Sequence, residues 1–278
     1  MALLETRDLT IRFGGHVAVN GVSCRFEPGT LTAIVGPNGA GKTTYFNLIS
    51  GQLKASAGSV SLGGRDLSNL SPSERTRAGL GRAFQLTNLF PRLTVLENVR
   101  LAVQATREGP HRRGFNLWSV WSDHRALLDR ADDILASIAL KDKEHELVAN
   151  LPHGDQRKLE VALLMALEPQ VFMFDEPTAG MNAAEAPVIL DLIRRLKADR
   201  SKTILLVEHK MDVVRELADR IIVLHNGALV ADGEPAEVIA SPVVQEAYLG
   251  QPAQSASSAS DAPSHPGLPP SGGRGEQP

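Results

Sequence analysis

The residues best placed to do chemistry are Gly36-Pro37-Asn38-Gly39-Ala40-Gly41-Lys42-Thr43-Thr44, with three glycines, a lysine and adjacent threonines at fixed spacing. Glycines let backbone N–H groups turn inward around an anion, and a helix starting behind them adds its positive end. Lys42 would reach the β- and γ-phosphates of a nucleoside triphosphate, and the Thr43 hydroxyl would ligate Mg2+. The context agrees: the apolar run Leu31–Val35 leads in, and a helical pattern from Tyr45 to Ser50, closed by Gly51, follows. A chance lysine beside a glycine turn would carry none of that context. The stretch implies binding of a nucleoside triphosphate.

Other residues gain meaning from that loop. Val171–Phe174 is a buried-strand run ending in Asp175 and Glu176. An aspartate at such a strand end supports magnesium in phosphate-loop proteins. A neighbouring carboxylate, Glu176, can take a proton from attacking water if it faces the γ-phosphate. Gln85 closes the run Gly81–Gln85, where its amide could meet the metal or the water. His209 follows Thr203–Val207 and Glu208, at a strand end where active-site groups of open α/β sheets collect. Each of these alone would read as an ordinary surface or structural residue.

The elements that must position them are legible in turn. Residues 3–13 and 22–26 read as strands around turns at Gly14-Gly15 and Pro28-Gly29, and 58–63 as a short edge strand. Pro72–Ala78 reads as a helix with proline in its first turn. Thr94-Val-Leu-Glu97 is a capping box that opens a helix to about Ala105. The pattern lapses over 106–123, a Gly/Pro/Arg-rich excursion with Trp118 and Trp121, and helical spacing returns at Leu127, Ala131, Ile134 and Ile138. A helix is expected from near Gly154 to about Leu167, then strands at 171–174, 203–207, 221–224 and 229–231 between helices. Such alternation predicts an α/β fold, a mostly parallel sheet flanked by helices. An N-terminal antiparallel β subdomain and a helical lobe at about 94–167 complete an expected domain of residues 1–250. From Gln251 to Pro278 the chain is Ser, Ala, Pro and Gly, with almost nothing to bury, and disorder is expected.

Composition narrows the function. The formal charge of −3, from 29 basic and 32 acidic residues among 278, gives no global basic field for nucleic acid. Cys24 is the sole cysteine, which excludes an internal disulfide and fits a reducing compartment. The N-terminus is charged too early for a signal peptide, and no apolar run approaches the ~20 residues of a membrane helix. The expectation is a soluble, cytoplasmic chain; any membrane work needs another chain to span.

Taken together, from about Leu3 to Gly250, these residues resemble the ATP-binding-cassette family. Gly36–Thr43 matches its phosphate loop, Gln85 its glutamine loop, Asp175-Glu176 its second nucleotide motif and His209 its switch histidine. Phe13 stands where the family places an aromatic against adenine; the other reading is a core aromatic at a strand end. Leu151-Pro152-His153-Gly154-Asp155-Gln156 stands where the family has its signature, usually Leu-Ser-Gly-Gly-Gln. In the family this helix start faces ATP held by a second chain, and the N–H groups behind Gly154 suit a γ-phosphate. Pro152 departs from the pattern, supplying neither hydroxyl nor N–H, and weakened rather than abolished closure is expected. His153 could donate instead, or serve only at the surface. Asn182 replaces the aspartate that commonly ends the loop after the second motif.

Within the family, Phe84-Gln85 with Leu89-Phe90, Thr94–Asn98, the 106–123 segment, Gly154–Arg157 and the ending Ala247–Gly250 resemble ATPase subunits of branched-chain amino acid and amide or urea importers. The resemblance implies ATP and Mg2+ as cofactors, and a homodimer or a heterodimer with a homologous ATPase subunit. It also implies a separate transmembrane permease, an indirect solute-binding partner, no nucleic acid, and a peripheral place on the inner membrane face. Glu176, His209 and Gln85 would be catalytic, with Thr43, Gln85 and Asp175 at the metal. The alternatives are a nucleotide-dependent clamp or regulator with little turnover, and a non-transport cassette ATPase acting on nucleic acid or ribosomes.

Overall fold

The computed structural model describes residues 3–83, 89–107, 124–181 and 185–249. Strands β1 (Leu4–Phe13) and β2 (His16–Phe26) form an antiparallel hairpin around Gly14-Gly15. β3 (Leu31–Val35) is buried along its whole length and leads through the glycine loop into α1 (Lys42–Ser50). Next come β4 (Ala57–Leu62), β5 (Arg65–Asp66), α2 (Pro72–Arg77) and β6 (Leu80–Ala83). Ser71 and Glu74 form the capping box that starts α2.

α3 (Val95–Arg107) opens as the sequence predicts, with the Glu97 N–H donating to Thr94 Oγ1 and the Thr94 N–H donating back to Glu97 Oε2. Then follow α4 (His124–Ser137), α5 (His153–Ala166), β7 (Val171–Asp175), α6 (Ala186–Ala198), β8 (Thr203–Val207) and α7 (Met211–Leu217). The chain continues through β9 (Arg220–His225), β10 (Ala228–Gly233), α8 (Pro235–Ala240) and α9 (Pro242–Leu249). These last two helices lie beyond the elements that the sequence pattern predicts; each opens on proline, a residue that suits a helix's first position. Gln85, Asn182, Trp118, Trp121 and the 251–278 tail lie outside the described residues.

Two sheets result. One has the order β2-β1-β4-β5 and the other β10-β9-β3-β8-β7-β6. In the larger sheet the β6-β7, β7-β8, β8-β3 and β3-β9 pairs are parallel and β9-β10 is antiparallel. The run at 58–63, expected at an edge, is instead interior, because the short β5 pairs along its outer side.

Alternate residues of the central strands divide the core. Met173, Leu205 and Val207 face Tyr45, Phe46 and Ile49 of α1, with Leu4, Leu9 and Val60 of the antiparallel sheet beyond. Phe172, Phe174, Ile204 and Leu206 face the other way, toward α6 and the helices α3, α4 and α5. Strands buried on both faces in this way carry continuous apolar runs rather than alternation. Among the described residues no helix is long and apolar enough to cross a membrane.

Candidate active site

Three neighbouring parallel strands, β3, β8 and β7, end on the same edge of the sheet, where open α/β sheets bind ligands. The glycine loop leaves β3 there. Gly36 has φ +151, and a Cβ on it would fall 2.1 Å from the Leu224 carbonyl oxygen. Gly41 has φ +95 and a Cβ there would meet the Ala18 carbonyl at 2.5 Å. Only glycine lets the loop pass both strands this closely.

The loop is built to receive an anion. Helical bonding in α1 begins with the Tyr45 N–H donating to the Gly41 carbonyl at 2.8 Å, and Gly41 offers no side-chain cap. The N–H groups of Lys42, Thr43 and Thr44 therefore have no acceptor within the helix, and the helix dipole points the same way. Lys42, 8% exposed, donates through Nζ to the carbonyls of Gly36 (2.7 Å) and Pro37 (3.0 Å), which holds its charge over the loop. Burial lowers its pKa, while the Glu176 and Asp175 carboxylates pull it back up. Thr43, Asn38 and Gly39 are exposed, and Ala40 is buried against the core.

The residues expected after β7 and β8 converge on this loop. Glu176 sits at φ +50, a conformation costly for a residue with a side chain, and its N–H is held by the Val207 carbonyl at 2.9 Å. Its Oε1 lies 3.4 Å from His209 Nδ1, with both side chains partly exposed. Asp175, closing β7, is engaged through Oδ2 by Arg82 Nη2 at 2.8 Å. Hard oxygen donors of this kind, an exposed threonine hydroxyl and a carboxylate, fit Mg2+. No group of three or more His, Cys, Asp or Glu among the described residues could hold a metal alone.

Phe13 ends β1 at 51% exposure, so it is not the core aromatic that a strand end allowed; its ring is open to a ligand.

The residues Pro152 to Gln156 are not brought to the glycine loop by any described contact. Pro152 stands at the head of α5 with no side-chain cap, exposed beside an exposed His153. Gln156 turns its amide back to the Leu151 carbonyl at 2.9 Å. Asp155 is buried between Lys143 Nζ (2.6 Å) and Lys158 Nζ (2.8 Å), so its carboxylate faces cations of its own chain rather than a ligand. A Cβ on Gly154 would fall 2.2 Å from the Glu185 carboxyl carbon, so the first turn of α5 already has an anion of the same chain beside it.

Sequence reasoning missed three residues here. Glu208, 1% exposed, accepts from Thr178 Oγ1 at 2.8 Å and from the His209 N–H at 2.9 Å, which sets the backbone that carries the histidine. Glu185 is a second, and its position against Gly154 has no local signal. Arg82 is the third; an arginine inside a four-residue strand that is otherwise glycine and aliphatic was the available sign.

Comparison with known proteins bears on the family and the fold. Residues 19–179 match the ABC transporter family, and 228–254 match the branched-chain amino acid ATP-binding cassette transporter family. The high-affinity branched-chain amino acid transport ATP-binding protein LivG of Salmonella typhimurium is 38% identical over 250 residues, covering 90% of this chain and 98% of LivG. The crystal structure of the ADP conformation of an ATP-binding cassette of an ABC transporter superposes with a TM-score of 0.74 at 30% identity, covering 90% of this chain and 100% of that one. A dimeric post-hydrolysis cassette bound to ADP and Pi has a TM-score of 0.70 at 25% identity, covering 84% of this chain and 98% of that one.

Proposed function

Because the chain belongs to the ABC transporter family of ATP-binding, ATP-hydrolysing cassettes, we propose that it energises uptake of branched-chain amino acids or related small solutes through a separate membrane permease. The observation that carries the ATPase reading is the convergence of Lys42, Glu176 and His209 on an uncapped helix start. The likeness to LivG supports the choice of cargo.

In this reading Gly36–Thr44 cradles the triphosphate, with Lys42 balancing its charge and Phe13 stacking on the base. Glu176 takes a proton from the attacking water, and His209 holds the γ-phosphate and keeps Glu176 oriented. Thr43, Asp175 and Gln85 would hold Mg2+, whose chemistry there would be that of a Lewis acid offsetting phosphate charge. Two cassettes, identical or homologous, close around two nucleotides, each completed by Pro152–Gln156 of the other; the dimeric cassette of similar fold supports this. The helices α3, α4 and α5 act as the lobe that meets the permease, within a domain of residues 1–250 on the inner membrane face.

Glu176→Gln tests the mechanism. The variant is expected to bind ATP as the parent does, to lose phosphate release by about 10²–10⁴-fold, and to form a dimer in ATP that light scattering detects. Unchanged phosphate release would remove Glu176 from the base role.

A further inference from the structure

Arg82 belongs to none of the nucleotide motifs, yet it joins two of them. Its side chain is 8% exposed. Nη1 donates to Asn47 Oδ1 at 2.6 Å and to Ser50 Oγ at 2.8 Å, and Nη2 donates to Asp175 Oδ2 at 2.8 Å. The guanidinium carbon stands 4.7 Å from the centre of the Phe46 ring. Phe46, Asn47 and Ser50 share one side of α1, the helix that issues from the glycine loop. One cation on β6 therefore ties the helix bearing Thr43 to the carboxylate that ends β7.

A buried ion pair is a poor source of stability, since desolvation consumes most of the Coulombic gain, and an apolar residue of similar size would pack as well. Arg82 Nε, buried without an acceptor, adds to that cost. What an apolar residue could not do is fix the direction of Asp175. The pair engages Oδ2 only, and no described donor reaches Oδ1. We propose that Arg82 is the positioning residue for the metal carboxylate, holding Asp175 at a set height against α1 so that Oδ1 and the Thr43 hydroxyl are preset for one magnesium ion. The inference rests on the reading of Asp175 as the metal carboxylate.

The test measures Mn2+ binding by electron paramagnetic resonance to the full chain loaded with a non-hydrolysable ATP analogue, alongside affinity for that analogue in EDTA. Arg82→Met, which keeps contact with Phe46, is expected to weaken Mn2+ binding by about 10–100-fold, the usual effect of removing an outer partner of a metal ligand. Its EDTA affinity should stay within about twofold. Arg82→Lys should recover part of the loss. Asn47→Ala, which leaves the charge pair intact and removes one of the two acceptors of Nη1, should shift Mn2+ binding in the same direction by less, and it decides the matter if Arg82→Met does not fold. Asp175→Asn is the control. If it weakens Mn2+ binding while Arg82→Met and Asn47→Ala do not, the positioning role is wrong and Asp175 keeps its own. If Asp175→Asn leaves Mn2+ binding intact, the metal reading itself falls. Equal losses with and without metal in Arg82→Met would make Arg82 a structural prop and overturn the proposal.

Discussion

Pro152 sets the head of α5 without a hydroxyl or an N–H to offer, and the Glu185 carboxylate sits against Gly154 in the first turn. Both features weaken the attraction of that helix start for an incoming phosphate: one removes a donor, the other adds a like charge. The first-turn N–H groups and the dipole of a 14-residue helix remain. Pro152→Ser restores a cap, a substitution class that strengthens a helix by roughly 0.5–2 kcal/mol, and in the proposed pairing it adds a donor toward the partner's nucleotide. The expected outcome is tighter ATP-dependent pairing and faster phosphate release, by about tenfold for a charge-assisted bond at the low end of its range. A variant that melts higher yet pairs and turns over as before would show that Pro152 matters to the helix alone.

At the scale of the element, α5 is anchored by Asp155 between Lys143 and Lys158. Burial works against the ionised carboxyl, and the two lysine hydrogen bonds outweigh it, holding the pKa below its ordinary 3.8. A carboxyl with a depressed folded pKa stabilises the fold above its unfolded value, and that contribution is lost as pH falls through the folded value. Asp155→Asn should therefore lower the melting temperature at neutral pH, at a cost of about 1.5–3 kcal/mol for bonds to a charged group. The gap from the parent should close as the pH drops below 3.8. Thermal unfolding across a descending pH series checks this; a gap of constant size would assign the effect to shape rather than charge.

Across the whole molecule, the apolar faces of α3, α4 and α5 run into the same cluster as Phe172, Phe174, Ile204 and Leu206 of the sheet. Leu164 is at the join: it is 3% exposed, and a Cβ on Gly81 of β6 would fall 2.4 Å from its Cδ1. A shared core couples helices and sheet in one cooperative unit. Leu164→Ala should cost about 2–5 kcal/mol, the range for a buried leucine. Denaturant curves followed by helical circular dichroism and by loss of nucleotide binding should still coincide. Separate midpoints would mean that the helices unfold apart from the sheet that carries the site.

The strand, glycine loop and helix were legible because all the parts are contiguous within Leu31–Ser50, where residue type dictates backbone geometry directly. The same holds for the capping box at Thr94 and Glu97, which closes over one turn. The placement of Asp175, Glu176 and His209 was legible at one remove, since each follows an apolar strand whose end the parallel sheet brings to the loop. Tertiary structure alone decided the pairings across long separations: Arg82 with Asp175, 93 residues apart, and Thr178 with Glu208, 30 apart. It also decided that Phe13 is exposed and that β4 lies inside its sheet. A charged side chain can satisfy its hydrogen bonds with many partners, and only the stacking order of strands and the helix laid across them selects which partner is within reach.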